Sequence, residues 1–282
     1  MYACLTMRDY FKKQIALPQD HGSWVFILSP LLVGIFAGGN FTFAAFNLVL
    51  AAMSAFMMRQ PTTVLVKAYS GRRPKSDLAA ARFWLLIYGG IASLALLGLM
   101  LQGFGFLLLL AVPGVVVFGW HLKLVSQRAE RKQADVEVIA TGVLALAAPV
   151  AYWVGIGRYD PLGWWLFLWV WLQSAASIVY AYLRLDQREL KQDQAAGLER
   201  SELWKMGKRA LLYTTFNLIA SLILGLAKLI PFFIFIPFLV QWLETLWGIT
   251  HPSIGWKPVR IGIRQLAVST MWTLLFILVN RS

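Results

Sequence analysis

Charged residues are scarce in this sequence, since Asp, Glu, Lys and Arg together make up only 14% of its 282 residues. An ordinary soluble domain is about a quarter charged, so this composition excludes that class of protein. A single cysteine, Cys4, also excludes an internal disulfide framework. What is present instead is apolar, because 59% of the residues are hydrophobic and the mean hydropathy is +0.64. We therefore predict an all-α polytopic membrane protein.

Familiar enzyme motifs are absent as well. The sequence contains no P-loop, no dinucleotide-binding fingerprint, no H-E-x-x-H helix, no cysteine pair for zinc and no nucleophile elbow. Ionisable residues deep inside apolar segments, which mark ion-coupled transport, are nearly lacking, since Lys228 and Glu244 lie near segment ends. This distribution argues against an ion-coupled transporter and leaves a facilitator of neutral solutes open.

Nine apolar segments approach the roughly 20 residues that a helix needs to cross a bilayer. They are residues 23–38, 41–58, 83–102, 104–121, 136–156, 162–183, 210–229, 231–249 and 265–280. We predict one membrane domain over 1–282, in which residues 1–22 are a short interfacial segment. Gly34 and Gly38 lie four residues apart on the first span, which predicts a close contact with another helix.

The positive charge predicts the orientation. Of the 26 Lys and Arg residues, 23 fall on one side if the nine spans alternate, and Arg158, Lys228 and Arg281 fall on the other. Cytoplasmic loops carry this excess, so we expect a bacterial inner-membrane protein with its N-terminus inside and its C-terminus outside. The net charge of +13 then reflects topology and anionic lipid, and nucleic acid is not an expected partner.

The predicted cytoplasmic loop 59–82 is strongly basic. It carries one acid, Asp77, and six cations: Arg59, Lys67, Arg72, Arg73, Lys75 and Arg82. Such a cluster could bind a diphosphate or an anionic lipid headgroup. It could equally be positive-inside charge without a ligand. We take Arg59, Lys67, Arg72 and Arg73 as candidate substrate-binding residues.

Polar residues within spans fall on helical faces. Gln173, Ser177, Tyr180 and Arg184 are spaced four, three and four apart, and Asn217 lies on a similar face of the seventh span. Interhelical hydrogen bonding explains such faces, and so does a polar cavity wall that opens to the cytoplasm. On the second interpretation these five residues bind substrate.

Three carboxylates, Asp186, Glu189 and Asp193, share a face if the sixth helix continues. Together they could hold Mg²⁺, which prefers oxygen ligands and bridges to phosphates, or they could form a solvated helix end. Asp186 lies roughly 160° around the helix from Arg184, so a shared cavity wall needs a bend between them. His21, His121 and His251 at cytoplasmic span ends are an alternative metal set.

The opening motif L-P-Q-D-H-G-S-W, residues 17–24, resembles the start of the YwiC-like bacterial membrane proteins. A more distant resemblance links the chain to the UbiA superfamily of intramembrane prenyltransferases. That resemblance implies nine spans, a cytoplasm-facing cavity and Mg²⁺ held with prenyl diphosphate by two Asp-rich motifs. Asp186, Glu189 and Asp193 stand where the second motif would be. The first has no counterpart, because Arg59-Gln60-Pro61 follows the second span.

Three functions stay open on the sequence alone. The first is a UbiA-like protein that binds or transfers an isoprenoid or another phosphorylated lipid from the cytoplasmic side, with Mg²⁺ if it is a prenyltransferase. The second is a transporter or facilitator of a small solute. The third is a non-catalytic membrane protein that assembles with a larger complex.

Overall fold

The computed structural model describes residues 10–19, 21–129, 133–190 and 199–280, and within these ranges the chain is helical with no strand. Nine helices follow one another along the chain: α1 Gly22–Gly38, α2 Phe43–Tyr69, α3 Asp77–Leu101, α4 Gly105–Ser126, α5 Ala134–Ile156, α6 Leu162–Glu189, α7 Arg200–Leu226, α8 Phe232–Thr250 and α9 Pro258–Asn280. Eight of them are long and apolar enough to cross a membrane, and α1 is a shorter apolar helix. The predicted polytopic all-α bundle is confirmed.

Most of the helices are longer than the apolar segments that predicted them. Residues 59–82, predicted as a loop, continue α2 to Tyr69 and begin α3 at Asp77, which leaves only 70–76 between them. Likewise α6 runs to Glu189 and α7 begins at Arg200. Hydropathy locates the part of a helix that lies in hydrocarbon, whereas backbone hydrogen bonding continues into water for several turns.

Short connections make successive helices alternate in direction. Residues 39–42, 102–104, 157–161 and 227–231 connect helices at one end of the bundle. Gly39 and Gly157 terminate α1 and α5 there with φ of 74°, a left-handed conformation that glycine adopts without strain. Residues 70–76, 127–129 and 251–257 lie at the opposite end, which we call the basic end.

Helix α6 is the most buried element. Of its most apolar window 67% is buried, against 6% for α4, which therefore presents most of its surface outward. Trp169 of α6 packs on Phe238 of α8, and Phe238 packs on Trp272 of α9, with ring centroids 5.5 and 5.3 Å apart. The aromatic rings of α6, α8 and α9 thus pack together in the interior of the bundle.

The close contact predicted from Gly34 and Gly38 lies between α1 and α5. A Cβ atom at Gly34 would stand 2.1 Å from the carbonyl oxygen of Ala148, and one at Gly38 would stand 3.0 Å from the Cα of Gly155. Only a hydrogen at these positions lets the two backbones approach so closely. Helix α1 also packs against α9, which brings the first and last helices together.

The predicted interfacial segment packs against α2 and α3 where it is described. Its helical turn, Lys13–Ala16, buries Ile15 fully between residues of both helices. The indole of Trp84 donates to the carbonyl of Tyr10 at 2.8 Å, and the hydroxyl of Tyr88 donates to that of Ala16 at 3.1 Å. Residues 1–9, which complete the predicted segment, lie outside the described residues.

Candidate functional site

Arg184 is buried at the basic end, where α6 meets α8. Its side chain is 1% exposed and its Nη1 donates to Gln187 Oε1 at 2.8 Å, to the carbonyl of Gly248 at 2.6 Å and to that of His251 at 2.7 Å. Its Nη2 has no hydrogen-bond partner within the described part of the chain. A buried guanidinium thus fastens the end of α8 to α6 and is itself only partly satisfied.

Glu244 of α8 joins α6 and α9 through its carboxylate. It accepts from Tyr180 of α6 at 2.8 Å, and it receives two bonds from Arg264 of α9, 2.6 Å from Nε and 2.8 Å from Nη2. Its side chain is 12% exposed. Both members of the ion pair lie six residues inside their helices, since α8 ends at Thr250 and α9 begins at Pro258.

Two arginine guanidinium groups lie on the faces of tryptophan rings. The Cζ of Arg264 lies 3.6 Å from the ring centroid of Trp247, and that of Arg260 lies 3.9 Å from that of Trp256. Cations at this distance are attracted to the negative ring face. Together with Lys257, which is exposed one residue after Trp256, these groups form what we call the α8–α9 site: Glu244, Trp247, Trp256, Lys257, Arg260 and Arg264.

The local sequence explains why the chain folds this way. A Cβ atom at Gly248 would stand 2.2 Å from the hydroxyl of Tyr180, so the absence of a side chain lets α6 lie against α8. Gly255 has a φ of 69°, which turns the chain between the helices, and Pro258 begins α9. The hydroxyl of Ser253 donates to the carbonyl of Arg184 at 2.5 Å and holds this turn against α6.

Two grooves flank the α8–α9 site. One, of about 420 Å³, is lined by Trp256, Lys257, Val259, Arg260, Ile263, Arg264 and Ala267. The other, of about 410 Å³, is lined by Val240, Leu243, Glu244, Trp247, Arg264, Val268 and Met271. In each, charged side chains lie near the basic end and apolar side chains continue along the helices toward the middle of the bundle. Such a surface combines anion-binding donors with an apolar wall.

The polar face predicted on α6 is present and faces the interior. Gln173 donates from Nε2 to Ser177 at 3.0 Å and to Ser269 of α9 at 3.1 Å, and Gln241 of α8 donates to Ser177 at 3.1 Å. Asn217 of α7 donates to the carbonyl of Leu172 at 2.9 Å. These bonds tie α6 to α7, α8 and α9. A substrate-binding role for Gln173, Ser177, Tyr180, Arg184 and Asn217 stays a prediction.

The cations between α2 and α3 contact protein groups. Arg72 donates to the carbonyl of Val125 at 2.6 Å, and Arg73 pairs with Asp77 at 3.2 Å. Lys12 of the interfacial segment lies 3.5 Å from the same carboxylate. Arg59 and Lys67 are on the part of α2 that continues past the predicted span. Ligand binding by Arg59, Lys67, Arg72 and Arg73 stays a prediction.

The predicted metal ligands do not form a cluster where they are described. Helix α6 runs unbroken through Glu189, so Arg184 faces inward while Asp186 and Glu189 are exposed, and the bend that a shared wall needs is missing. Asp193 lies outside the described residues. In the described ranges no three His, Cys, Asp or Glu side chains lie close enough to hold a metal ion. The magnesium site stays a prediction.

Sequence reasoning missed the α8–α9 site. Its residues are dispersed over 244–264, and the longer basic loop 59–82 outweighs them in any count of charge. A signal was nevertheless present, since Arg260 and Arg264 are spaced four apart on α9 and share one helical side, and Trp256 lies just before that helix begins. The partner positions on α8 follow only from tertiary packing.

Comparison with known proteins matches one stretch of the chain to a protein family. Residues 17–152 match the family model described as YwiC-like protein, which confirms the resemblance that the opening motif carries. The match covers α1 to α4 and most of α5, and it ends before the α8–α9 site. No curated protein and no solved structure matches the chain.

Proposed function

Starting from a chain that is YwiC-like over residues 17–152, we propose that this membrane protein binds the anionic headgroup of a phosphorylated lipid at the α8–α9 site. The ligand reaches the site from the cytoplasmic side, in the orientation with the N-terminus inside and the C-terminus outside. The distant UbiA resemblance supports the same class of ligand, an isoprenoid or another phosphorylated lipid.

One observation carries the proposal, namely that three cations stand at the head of an apolar groove. Lys257, Arg260 and Arg264 line its basic end, while Val259, Ile263 and Ala267 continue it along α9. Guanidinium groups donate several hydrogen bonds to phosphate. Apolar side chains beside them match the hydrocarbon chain that a lipid phosphate carries.

The aromatic residues fit the position of a headgroup. Trp247 and Trp256 hold Arg264 and Arg260 on their faces, and tryptophan is enriched where hydrocarbon meets headgroups. Long arginine side chains extend from that level toward water while their methylene groups stay in apolar surroundings. On this proposal the cations of the site lie at the depth of the lipid phosphates.

Binding, and not chemical transfer, is the function that we propose. The group that would supply Mg²⁺ chemistry, Asp186, Glu189 and Asp193, includes two exposed carboxylates and one residue outside the described ranges. The α8–α9 site offers donors for a phosphate and a single carboxylate, Glu244, which is already bonded to Arg264.

The test is lipid binding by the full chain in detergent, measured by native mass spectrometry with dioleoyl phosphatidylglycerol and dioleoyl phosphatidylcholine. Lys257→Gln with Arg260→Gln should weaken phosphatidylglycerol binding about thirtyfold, because each basic residue near a membrane surface contributes about 1 kcal/mol. The matched control is Lys205→Gln with Lys208→Gln, which removes the same charge from exposed positions of α7. An equal loss in the control would show that binding depends on net charge and refute the site.

The orientation has its own test. A phosphatase or fluorescent-protein fusion after Ser282 should report an external C-terminus, because nine spans put the two termini on opposite sides. A cytoplasmic signal there would place the basic end outside and contradict access from the cytoplasm.

A further inference from the structure

The two grooves of the α8–α9 site share one lining residue, Arg264. On α9 the first groove runs along Val259, Ile263 and Ala267, which are spaced four apart. The second runs along Val268 and Met271 and continues onto α8. At 3.6 residues per turn the two sets of α9 positions are centred roughly 110° apart, and Arg264 lies on the side of the second set. Because Arg264 lines both grooves, the grooves are neighbours that meet at this side chain.

The charges of the two grooves that meet at Arg264 are different. Lys257 and Arg260 line the first groove, and Glu244 lines the second. A phosphate is attracted more strongly to the first side, because the carboxylate of Glu244 offsets the charge of Arg264 on the second. Glu244 also holds Arg264 in place through two hydrogen bonds of 2.6 and 2.8 Å. These charges favour one anionic group beside Lys257, Arg260 and Arg264, with the apolar lining residues of both grooves further along the helices.

We propose that the ligand is a two-chain lipid with one phosphate, which straddles Arg264 with one hydrocarbon chain in each groove. Its phosphate lies among Lys257, Arg260 and Arg264. This inference deepens the proposed function and rests on it. It names the chemical class of the ligand as a glycerophospholipid with a singly anionic headgroup, in contrast to an isoprenyl phosphate with a single chain.

The number of hydrocarbon chains and the charge of the headgroup contribute differently to the affinity of a lipid for the site. Inside a membrane a hydrocarbon chain gains no hydrophobic free energy by leaving lipid for protein, so its preference for a groove comes from packing contacts. The effect of a second chain is accordingly smaller than that of the cations. The experiment must therefore vary the two features separately.

The experiment compares three probes in the same detergent: dioleoyl phosphatidylglycerol, oleoyl lysophosphatidylglycerol, which has the same headgroup on one chain, and the methyl ester of geranylgeranyl phosphate, a single-chain isoprenoid with the same single negative charge. Binding to the full chain is measured by native mass spectrometry. We expect the two-chain lipid to bind at least about threefold more tightly than either single-chain probe, from packing contacts in the second groove.

Two substitutions fill the grooves one at a time. Ala267→Trp occupies the first groove and Val268→Trp the second. Each should lower binding of the two-chain lipid about threefold and leave binding of the one-chain lipid within about twofold, because one chain can use the remaining groove. Val112→Trp on α4, at an exposed apolar position far along the chain, is the control and should change neither. If a Trp variant does not purify, Ala267→Leu and Val268→Phe take its place.

The outcomes separate this inference from the proposed function. Equal binding of one-chain and two-chain lipids, with both weakened by Lys257→Gln and Arg260→Gln, would overturn the two-chain ligand and retain the headgroup site. Tighter binding of the geranylgeranyl probe, whose charge equals that of phosphatidylglycerol, would likewise overturn it in favour of an isoprenoid. Lipid binding that is unchanged by Lys257→Gln with Arg260→Gln would refute the proposed function itself.

Discussion

Two clusters of cations lie at the basic end, one between α2 and α3 and one at the α8–α9 site, and they use their charges differently. In the first, Arg72 and Arg73 donate to a backbone carbonyl and to the carboxylate of Asp77. In the second, Arg260 and Arg264 lie on tryptophan faces at the head of apolar grooves. The first cluster lies in the more basic sequence, and the two clusters differ in what surrounds each cation.

We infer from this difference that the partners of a cation, and not the density of charge, decide whether it can bind a ligand. A guanidinium that donates to protein oxygens must break those bonds before it can bind a phosphate. Arg264 donates to Glu244 as Arg73 donates to Asp77. The guanidinium of Arg260, in contrast, lies with its flat face on Trp256 and has no hydrogen bond to another described residue, so its edge donors can reach a ligand. The comparison therefore favours the α8–α9 site over the more basic sequence between α2 and α3.

The largest effect should come from the buried arginine beside the α8–α9 site. Arg184→Leu should lower the free energy of unfolding by about 3 kcal/mol, because it removes three hydrogen bonds in the interior, to Gln187 Oε1 and to the carbonyls of Gly248 and His251. Among the described residues, only the Gly248 carbonyl keeps another side-chain donor, Gln187. Arg73→Leu, which removes an ion pair at a turn, should lower it by only about 0.5 kcal/mol. Thermal denaturation of both variants in one detergent measures the difference. An equal loss of unfolding free energy in the two variants would contradict the expected difference between these two regions of the basic end.

The next effect concerns the contact between α6 and α8. Gly248→Ala should lower the free energy of unfolding by about 2 kcal/mol, because its Cβ would overlap the Tyr180 hydroxyl and overpack the interface. Gly119→Ala on α4 is the matched control, since a Cβ there meets nothing within 4 Å. That control should be neutral or slightly stabilising, as alanine is the better helix former. The same denaturation assay would contradict the packing if the two alanines behaved alike.

A smaller effect, of opposite sign, is expected at Glu244. Glu244→Gln removes the negative charge beside Arg264, so binding of dioleoyl phosphatidylglycerol should strengthen about fivefold, in line with about 1 kcal/mol per charge near the membrane surface. Asp77→Asn removes the comparable carboxylate between α2 and α3 and should leave binding unchanged. A gain at Asp77 would instead implicate the α2–α3 cluster.

The smallest effect is expected from the cations that the sequence makes most conspicuous. Arg72→Gln with Arg73→Gln should weaken binding of dioleoyl phosphatidylglycerol by less than about twofold, because a screened charge away from the site contributes little. The value is read from the same mass spectra as Lys257→Gln with Arg260→Gln. A loss as large as at those two positions would reverse the comparison.

Much of the architecture could be predicted because hydropathy acts locally. The nine apolar segments became nine helices, and the four-residue spacing of Gly34 and Gly38 predicted a close contact that α5 supplies. The spacing of Gln173, Ser177 and Arg184 likewise predicted their common buried face. Each of these inferences needs only the geometry of one helix.

The candidate site could not be predicted in the same way, because it depends on which helices meet. Glu244 and Arg264 are twenty residues apart in sequence, and Tyr180 joins them from another helix. The periodicity of the α6 sequence does not identify the two helices that pack against it. The extent of α2 and α6 beyond the hydrocarbon was missed for a related reason, since polar helical turns in water leave no hydropathy signal.

The shortness of α1 has a mechanical consequence for the bilayer. Its 17 residues rise about 26 Å, less than the roughly 30 Å of hydrocarbon that surrounds them. A span shorter than the membrane draws the two leaflets together around itself, at a fraction of a kcal/mol per Å. Because α1 packs against α9, we expect such thinning to bring the phosphate plane closer to Arg264, which lies six residues inside its helix. Membrane thickness would then set how deeply a headgroup meets the protein.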